Sequence, residues 1–408
     1  MSNAARTGPD PLVVSFLQAN PYFQSNPSLA ARGVIDPTRI DSVARNYIKS
    51  SLIPTSPSGS LIAQGADKDD RDELTEKVDL LFTPKDRLTV TLGSSRNPLL
   101  QAFAPVNAAP GSPSLAYANV PGYPGTGAYN TYFGSADYTK TLSPAMVNDF
   151  RFSAQRVRRV QGVPATKLPT PGQLGIGITP DESTGPTLLG FGSGMSLGFS
   201  YGGPTTLIDN TYTWSDTLSW IRGKHTMKFG FNYTPYQDNT LYDYYVNGEF
   251  FFYGTGGGSF SQNDRADFLM GLPDEFLQFP SAPSNIRSYN IGFFGQDEWK
   301  VRRNLTLTFG LRYEYNSPKY DTQGRSFSLA IGQQSTVFPG APKGLLLPGD
   351  RNAPNGANFP DKNDFSPRMG FAWDPKGDGK SSLRGGIGMF YDILKAEDNL
   401  QFNGQAPF

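Results

Sequence analysis

Between Tyr289 and Tyr315 the chain changes character at every residue. After a short turn, Leu305, Leu307, Phe309, Leu311, Tyr313 and Tyr315 alternate with Thr306, Thr308, Gly310, Arg312 and Glu314. Before it, Tyr289, Ile291 and Phe293 alternate with a set that includes Asn290, Gln296 and Glu298, and Trp299 closes the run. Side chains point to opposite faces of a strand, so this stretch reads as a hairpin with one apolar and one polar face. Two strands are not stable alone in water. The apolar face therefore needs a larger partner, either a protein core or a lipid bilayer.

Composition narrows the choice. The chain has 408 residues with 36 basic and 36 acidic side chains, so no net field draws it to nucleic acid. Mean hydropathy is −0.41, and no apolar run of the roughly 18 residues needed for a transmembrane helix occurs. A transmembrane barrel is not excluded, because it shows lipid only every second residue. The 45 Gly, 20 Tyr and 29 Phe residues favour strands and turns. With no Cys there is neither a disulfide framework nor a thiolate site. Met1 to Pro11 shows no basic region followed by an apolar segment, so no signal peptide is read there. The expectation is a cytoplasmic chain or one whose true N-terminus lies elsewhere.

The hairpin pattern recurs. Runs at 73–82 and 87–92 flank Thr83-Pro84-Lys85-Asp86, and runs at 131–141 and 147–157 flank Leu142-Ser143-Pro144-Ala145. Runs at 211–221 and 226–233 flank Arg222-Gly223-Lys224, and runs at 368–373 and 382–391 flank a turn from Asp374 to Gly379. Each turn holds the Pro, Gly or Asp that a tight reversal requires. Long Gly/Pro/Ser/Asn-rich stretches at 95–128, 160–205 and 317–363 separate the hairpins, which argues against a compact soluble domain. Short turns alternating with long loops describe an outer-membrane barrel. Its parity demands an even number of strands between 225–235 and 288–300. Runs at 246–253 and 275–279, joined through a short helix near 264–270, are the expected pair and bring the count to about twelve.

Three of the four tryptophans, Trp220, Trp299 and Trp373, stand just before a short turn and in the apolar register. Amphipathic rings gather at membrane boundaries, which makes these three the expected interfacial girdle. Two residues strain the pattern. Asp216 and Asp297 share that apolar register, so either they lie near the interface, where charge is tolerated, or local bulges turn them inward.

A set of segments now resembles one family. Phe294-Gly295-Gln296-Asp297-Glu298-Trp299-Lys300-Val301 followed by Leu305 to Glu314 is similar to the barrel of TonB-dependent outer-membrane transporters, and in particular to the Oar-like, acidobacterial type. Ile35 to Ala44, Asp216 to Trp220 with Gly223 to Gly230, Ala266 to Pro273, Phe365 to Trp373 and Leu383 to Asp392 match the same group in the same order. The resemblance implies an all-β, antiparallel transmembrane outer-membrane β-barrel, here partial, with about 12 of about 22 strands and long extracellular loops. It implies residence in the outer membrane of a Gram-negative cell, with lipid and lipopolysaccharide around it. A plug domain of the same protein, the TonB complex and an unknown small-molecule, glycan or peptide ligand are the implied partners. On this reading 1–70 is a loop-like extracellular segment with a short helix, 71–392 a partial barrel and 393–408 a truncated loop, in an internal piece of a longer protein.

No catalytic site emerges, and neither a cofactor nor a metal is expected. Asp67 to Glu73 mimics a calcium loop but has Arg71 at its fifth position and Val78 at its twelfth. The turn at Asp374 to Gly379 has Lys376 at a ligand position, and the glycine run 254–258 lacks the context of a phosphate loop. His225 is the only histidine, so no multi-histidine site exists. The expected lumen-facing rows are Lys77 and Asp79, Arg151 and Arg156, Lys228 and Asn232, Arg312 and Glu314, Arg368, and Arg384. Polarity there has a bland reading, since a barrel interior is wet or plug-filled. Arg151, Arg156, Arg158 and Arg159 also form a basic cluster toward a loop. The function expected is the barrel portion of a transporter for energised uptake. A passive or surface-organising barrel is the first alternative, and a secreted β-rich carbohydrate-binding protein the second.

Overall fold

The computed structural model describes residues 1, 7–57, 61–104, 115–180, 185–199, 204–243, 245–255, 260–356 and 358–392. The segment 393–408 and positions 256–258 of the glycine run lie outside the described residues.

Ten long strands form one antiparallel meander in chain order. They are β1 (Asp72–Thr83), β2 (Asp86–Gln101), β3 (Gly125–Ser143), β4 (Met146–Pro164) and β5 (Thr205–Arg222). β6 (His225–Tyr242), β7 (Ala282–Arg302), β8 (Leu305–Asn316), β9 (Asp364–Trp373) and β10 (Leu383–Gly388) complete it. Two-residue pieces at Lys68–Asp69 and Tyr320–Asp321 bring the sheet to twelve strands, and it does not close on itself. Four of the connections at one end leave only two residues outside the strands (84–85, 144–145, 223–224 and 303–304). Gly223 supplies the positive φ, +61°, that its turn demands.

The strand count meets the expectation with different strands. The runs at 246–253 and 275–279 are not in the main sheet, because β6 pairs directly with β7 from Tyr242↔Ala282 to His225↔Trp299. Parity survives, since zero is also even. Glu249–Phe252 and Glu275–Leu277 instead join Leu188–Phe191 and Ser196–Leu197 in a separate four-stranded sheet. Its Glu249–Phe252 strand lies parallel to Leu188–Phe191, a non-local pairing that turn chemistry cannot announce.

Strands β3 to β7 run 18 to 21 residues, against the roughly 9–11 that cross a bilayer. Their far ends, away from the tight turns, carry a folded cap. Helices α1 (Pro11–Ala19), α2 (Pro27–Ala30), α3 (Ser42–Lys49) and α4 (Asp264–Met270) belong to it with the small sheet. One core gathers Tyr47, Leu174, Leu189, Phe191, Leu197, Phe252 and Phe268, and a second gathers Val13, Leu17, Ile35, Ala266 and Met270. Asp41 caps α3 by accepting from Val43 N and Ala44 N, while its own N–H donates to Leu269 O at 2.9 Å. Thus the similar segments at 35–44 and 266–273, far apart in sequence, are neighbours.

The loop 317–363 is tied down by one carboxylate. Asp350 accepts from Ser335 Oγ (2.6 Å), Thr336 N (2.6 Å), Thr336 Oγ1 (2.9 Å), Val337 N (3.0 Å) and Leu347 N (2.9 Å). Desolvation alone would raise its pKa, but these donors outweigh it and hold the carboxyl well below the ordinary carboxylate range. A lowered pKa means the tie is intact above the unfolded value near 3.8 and weakens as pH falls through the folded one. We expect Asp350→Ala to open 335–350 to limited proteolysis at neutral pH while cleavage elsewhere is unchanged. Equal protease resistance of this loop in variant and parent would refute the assignment.

Candidate solute-facing wall and loop cap

Cross-strand partners share a face, so the pairing register sorts every side chain. One row of the polar face crosses nine strands: Asp79, Thr89, Asp137, Arg151, Ser215, Asn232, Gly292, Glu314 and Asp364. Its charges are paired locally, except Asp364, which stands opposite Glu314. Arg87 Nη2 donates to Asp79 at 2.7 Å, Thr89 Oγ1 donates to the same oxygen at 2.6 Å, and Arg151 bonds Asp137.

Arg312 and Glu314 are the centre of a longer network. The Arg312 guanidinium reaches Glu314 Oε1 at 2.7 Å and donates to Asn232 Oδ1 at 2.6 Å. Asn232 Nδ2 donates to Asn290 Oδ1, and Asn290 Nδ2 to Asn316 Oδ1, both at 2.7 Å. The Arg312 and Glu314 side chains are only 24% and 16% exposed. Space for the guanidinium comes from Gly292, where a Cβ would collide with Asn232 Oδ1 and Arg312 Nη2. Gly310 likewise makes room for Arg368, its register partner, whose guanidinium lies 5.8 Å from the Phe390 ring. Arg384 is exposed on the same face, opposite Ala372, and donates to Ser382 Oγ at 3.2 Å.

One expected member of this wall is misplaced. Arg151 and Arg156 differ in parity, and the β3–β4 register is continuous between them, so Arg156 lies on the apolar face. It donates to Asn210 Oδ1 at 3.1 Å. Toward the cap the polar face becomes acidic: Asp209 stands directly opposite Asp238, which is only 2% exposed. Tyr236 OH donates to Asp209 at 2.9 Å and Thr240 Oγ1 to Asp238. Among the described residues no group of three or more His, Cys, Asp or Glu is placed to hold a metal ion.

Trp220, Trp299 and Trp373 all lie on the apolar face at the tight-turn end, paired with Met227, His225 and Leu305. The His225 ring stacks on Trp299 at 5.6 Å and 11°, and Arg222 sits 5.5 Å from the Trp220 ring. Asp216 and Asp297 keep the apolar register with no bulge beside them. Each has found a partner instead: Asn148 Nδ2 donates to Asp216, and His225 Nδ1 lies 2.6 Å from Asp297 Oδ2.

The cap holds polar groups that sequence reasoning missed. Tyr47 OH donates to Thr187 O at 3.0 Å, and Tyr123 OH to Leu52 O at 2.6 Å. Burial pushes the pKa of Glu249, in the small sheet, up to about 7, the Tyr245 hydrogen bond opposing and Glu275 reinforcing. Only the Glu-Phe-Phe-Phe run at 249–252 hinted at a carboxylate entering an apolar strand.

A family profile described as an outer membrane beta barrel domain matches residues 2–408. Solved structures with a similar course include the copper transporter OprC, at 12% identity and TM-score 0.41, covering 79% of this chain and 37% of that one. The ferric enterobactin receptor PfeA from Pseudomonas aeruginosa aligns at 9% identity and TM-score 0.40, covering 79% and 36%. The outer membrane transporter YddB from Escherichia coli aligns at 12% identity and TM-score 0.34, covering 86% and 41%. The chain thus spans well under half the length of these proteins. No curated protein sequence matches it.

Two outcomes follow from the wall and the cap. Arg312→Ala strands the shielded Glu314 carboxylate and should lower unfolding free energy by about 1–3 kcal/mol. Arg384→Ala, which strands nothing, should change it by less than about 0.5 kcal/mol. Urea titration of the folded barrel in detergent separates the two, and equal midpoints would contradict the network. For Glu249 the folded pKa lies above the unfolded one, so its burial is tolerated below pH 4.5 and costs progressively more as pH rises toward and past 7. The full cost is on the order of 3 kcal/mol. Glu249→Gln should therefore slow hydrogen exchange across 249–252 at pH 8 and leave it nearly unchanged at pH 5. Protection that responds equally at both pH values would disprove this.

Proposed function

The chain belongs to the outer membrane β-barrel domain family, and from that premise we propose that it is barrel wall from a TonB-dependent, Oar-like receptor that takes up a solute with energy supplied from the inner membrane. The protein resides in the outer membrane. Its apolar face meets lipid, with Trp220, Trp299 and Trp373 at the boundary on the tight-turn side. Arg312, Glu314, Arg368 and Arg384 face the lumen. Residues 1–70 and the long loops form the outer cap, and 71–392 the barrel wall. A plug and the TonB complex act with it in the whole protein.

The observation that carries this reading is the polar row from Asp79 to Asp364, which stays on one face across nine strands. A wall that wide, lined by paired charges and amides, suits a lumen large enough to hold a plug. Paired side chains such as Arg312–Glu314 present hydrogen-bonding edges without a net field, which lets a plug or a solute slide against them. Siderophores, cobalamin, oligosaccharides and peptides are the ligand classes such a lumen admits.

Because the chain has no Cys, single-cysteine labelling tests the faces directly. In the full-length protein in intact cells, Lys228→Cys, exposed on the polar face, should react with a membrane-impermeant maleimide and Phe293→Cys should not. Cells carrying the protein should also accumulate at least one of a labelled ferric siderophore, cobalamin or maltodextrin, and lose that uptake with a proton uncoupler. Uptake indifferent to the uncoupler would replace the energised transporter with a passive barrel. Labelling of Phe293→Cys in place of Lys228→Cys would reverse the wall itself.

A further inference from the structure

The apolar face does not stay apolar to the cap. On β4 it runs Met146, Asn148, Phe150, Phe152, Ala154 and then turns to Arg156 and Arg158. Met146 pairs with Trp220 at the tight-turn boundary. From Met146 to Arg156 is ten residues, about 33 Å of strand at roughly 3.3 Å per residue. At a barrel tilt near 45° that is about 23 Å of depth, close to the ~25 Å apolar band of an outer-membrane barrel. Arg156 and Arg158 therefore stand at the opposite membrane boundary from the tryptophans, on the cap side.

A third arginine joins them across the sheet. Arg158 pairs with Asn130 on β3, and Asn130 with Arg96 on β2, so Arg96 and Arg158 share the face two strands apart, about 10 Å. All three arginines are exposed, and none makes an ion pair among the described residues. The acid directly opposite Arg96 is Asp72, and nearby Asp70 is paired with Lys68, so the three arginines with Asp72 carry a net charge of two. Arg151 and Arg159, grouped with Arg156 and Arg158 by sequence proximity, lie on the other face, one bonded to Asp137 and the other 4.7 Å from the Tyr129 ring. The patch is thus assembled by register rather than by sequence proximity.

We propose that Arg96, Arg156 and Arg158 form a binding site for a phosphomonoester-bearing lipid headgroup of the outer leaflet. Position selects a lipid, because the patch lies at headgroup depth on the lipid-facing wall. Charge and geometry select phosphate: guanidinium groups match phosphate oxygens bidentately, and a phosphomonoester brings up to two negative charges to a surface of net charge two. Asn130 and Tyr132, on the strand between the arginines, supply further hydrogen-bonding groups beside them. The site does not depend on whether the barrel transports anything.

The test uses full-length protein extracted from outer membranes in mild detergent and read by native mass spectrometry. The parent should carry lipid of phosphomonoester composition, and the R96Q/R156Q/R158Q variant at least about fivefold less. K376Q, in a turn at the other end, should carry as much as the parent. Heat-modifiable mobility on gels confirms that each variant is folded; if the triple variant is not, R158Q alone is compared with R158K, which should retain more lipid. In phosphatidylcholine nanodiscs, added lipid A should form an adduct with the parent, and inorganic phosphate at equal concentration should not. Unchanged lipid content in the folded variant, or an inorganic phosphate adduct as abundant as the lipid one, would overturn the proposal.

Discussion

Everything in this molecule depends on strand register. Because side chains alternate with a period of two, slipping one strand by one residue would send its whole apolar set to the polar face. The register breaks only near strand ends, at Leu81/Thr83, Thr126/Ala128, Thr141/Ser143 and Lys300/Arg302. Between those points the backbone ladder is continuous, so one row can link Asp79 on the first strand to Asp364 on the ninth. The side chains reinforce what the ladder sets. Phe152, Trp214 and Tyr233 pack ring to ring across three strands at 5.1 and 5.7 Å on the apolar face, and Arg312 spans β8 to β6 on the other. A slipped strand would break both sets at once, which is why the alternation specifies a single arrangement.

Much of this was legible in the sequence because it is local. A turn of Pro-Lys, Pro-Ala or Gly-Lys between two alternating runs states both that strands pair and in which register. The polar positions of Arg312, Glu314, Arg368 and Arg384, and the apolar positions of the three turn-adjacent tryptophans, follow from counting by twos. Arg156 lies five positions from Arg151, an odd number, and so falls on the opposite face. The runs at 246–253 and 275–279 do form strands that pair with each other, Phe250 opposite Phe276, but they lie outside the main sheet for a deeper reason. Their aromatic content is genuine, but the other partner of Phe250 is Leu189, 61 positions away and parallel, and no turn between them encodes it.

The cap was the least legible part. Its segment at 160–205 reads as a loop because it is rich in Gly and Pro and without period, while 246–253 and 275–279 read as strands of the main sheet. What orders them is mutual burial: Tyr47 of α3 meets Phe268 of α4 edge-on at 6.1 Å, and Phe191 and Phe252 of the small sheet close on the same ring. Gly271, at φ +72°, ends α4 so close to the Asp41 carboxylate that a Cβ would press against it. The Tyr47–Phe268 and Asp41–Gly271 contacts join residues more than two hundred positions apart. They leave a trace only as isolated capping aspartates, whose local hydrogen bonds can be guessed but whose neighbours cannot.

Asp216 and Asp297, carboxylates in the apolar register, show how far the alternation is relaxed near the tight turns. Neither Asp216 nor Asp297 is turned inward by a bulge, so the sheet keeps its ladder and answers the charge with a side chain on the adjacent strand. For Asp297 that partner is His225, whose ring also stacks on Trp299, so one imidazole serves a carboxylate on one atom and an indole on its face. A histidine elsewhere on this wall would lack both. The register that places Trp299 opposite His225 makes the arrangement possible, because Asp297 lies two residues from Trp299 on the same face. These two exceptions are therefore built by the same rule that produces the apolar wall, and both lie toward the tight-turn end, near the interface where a bilayer tolerates charge.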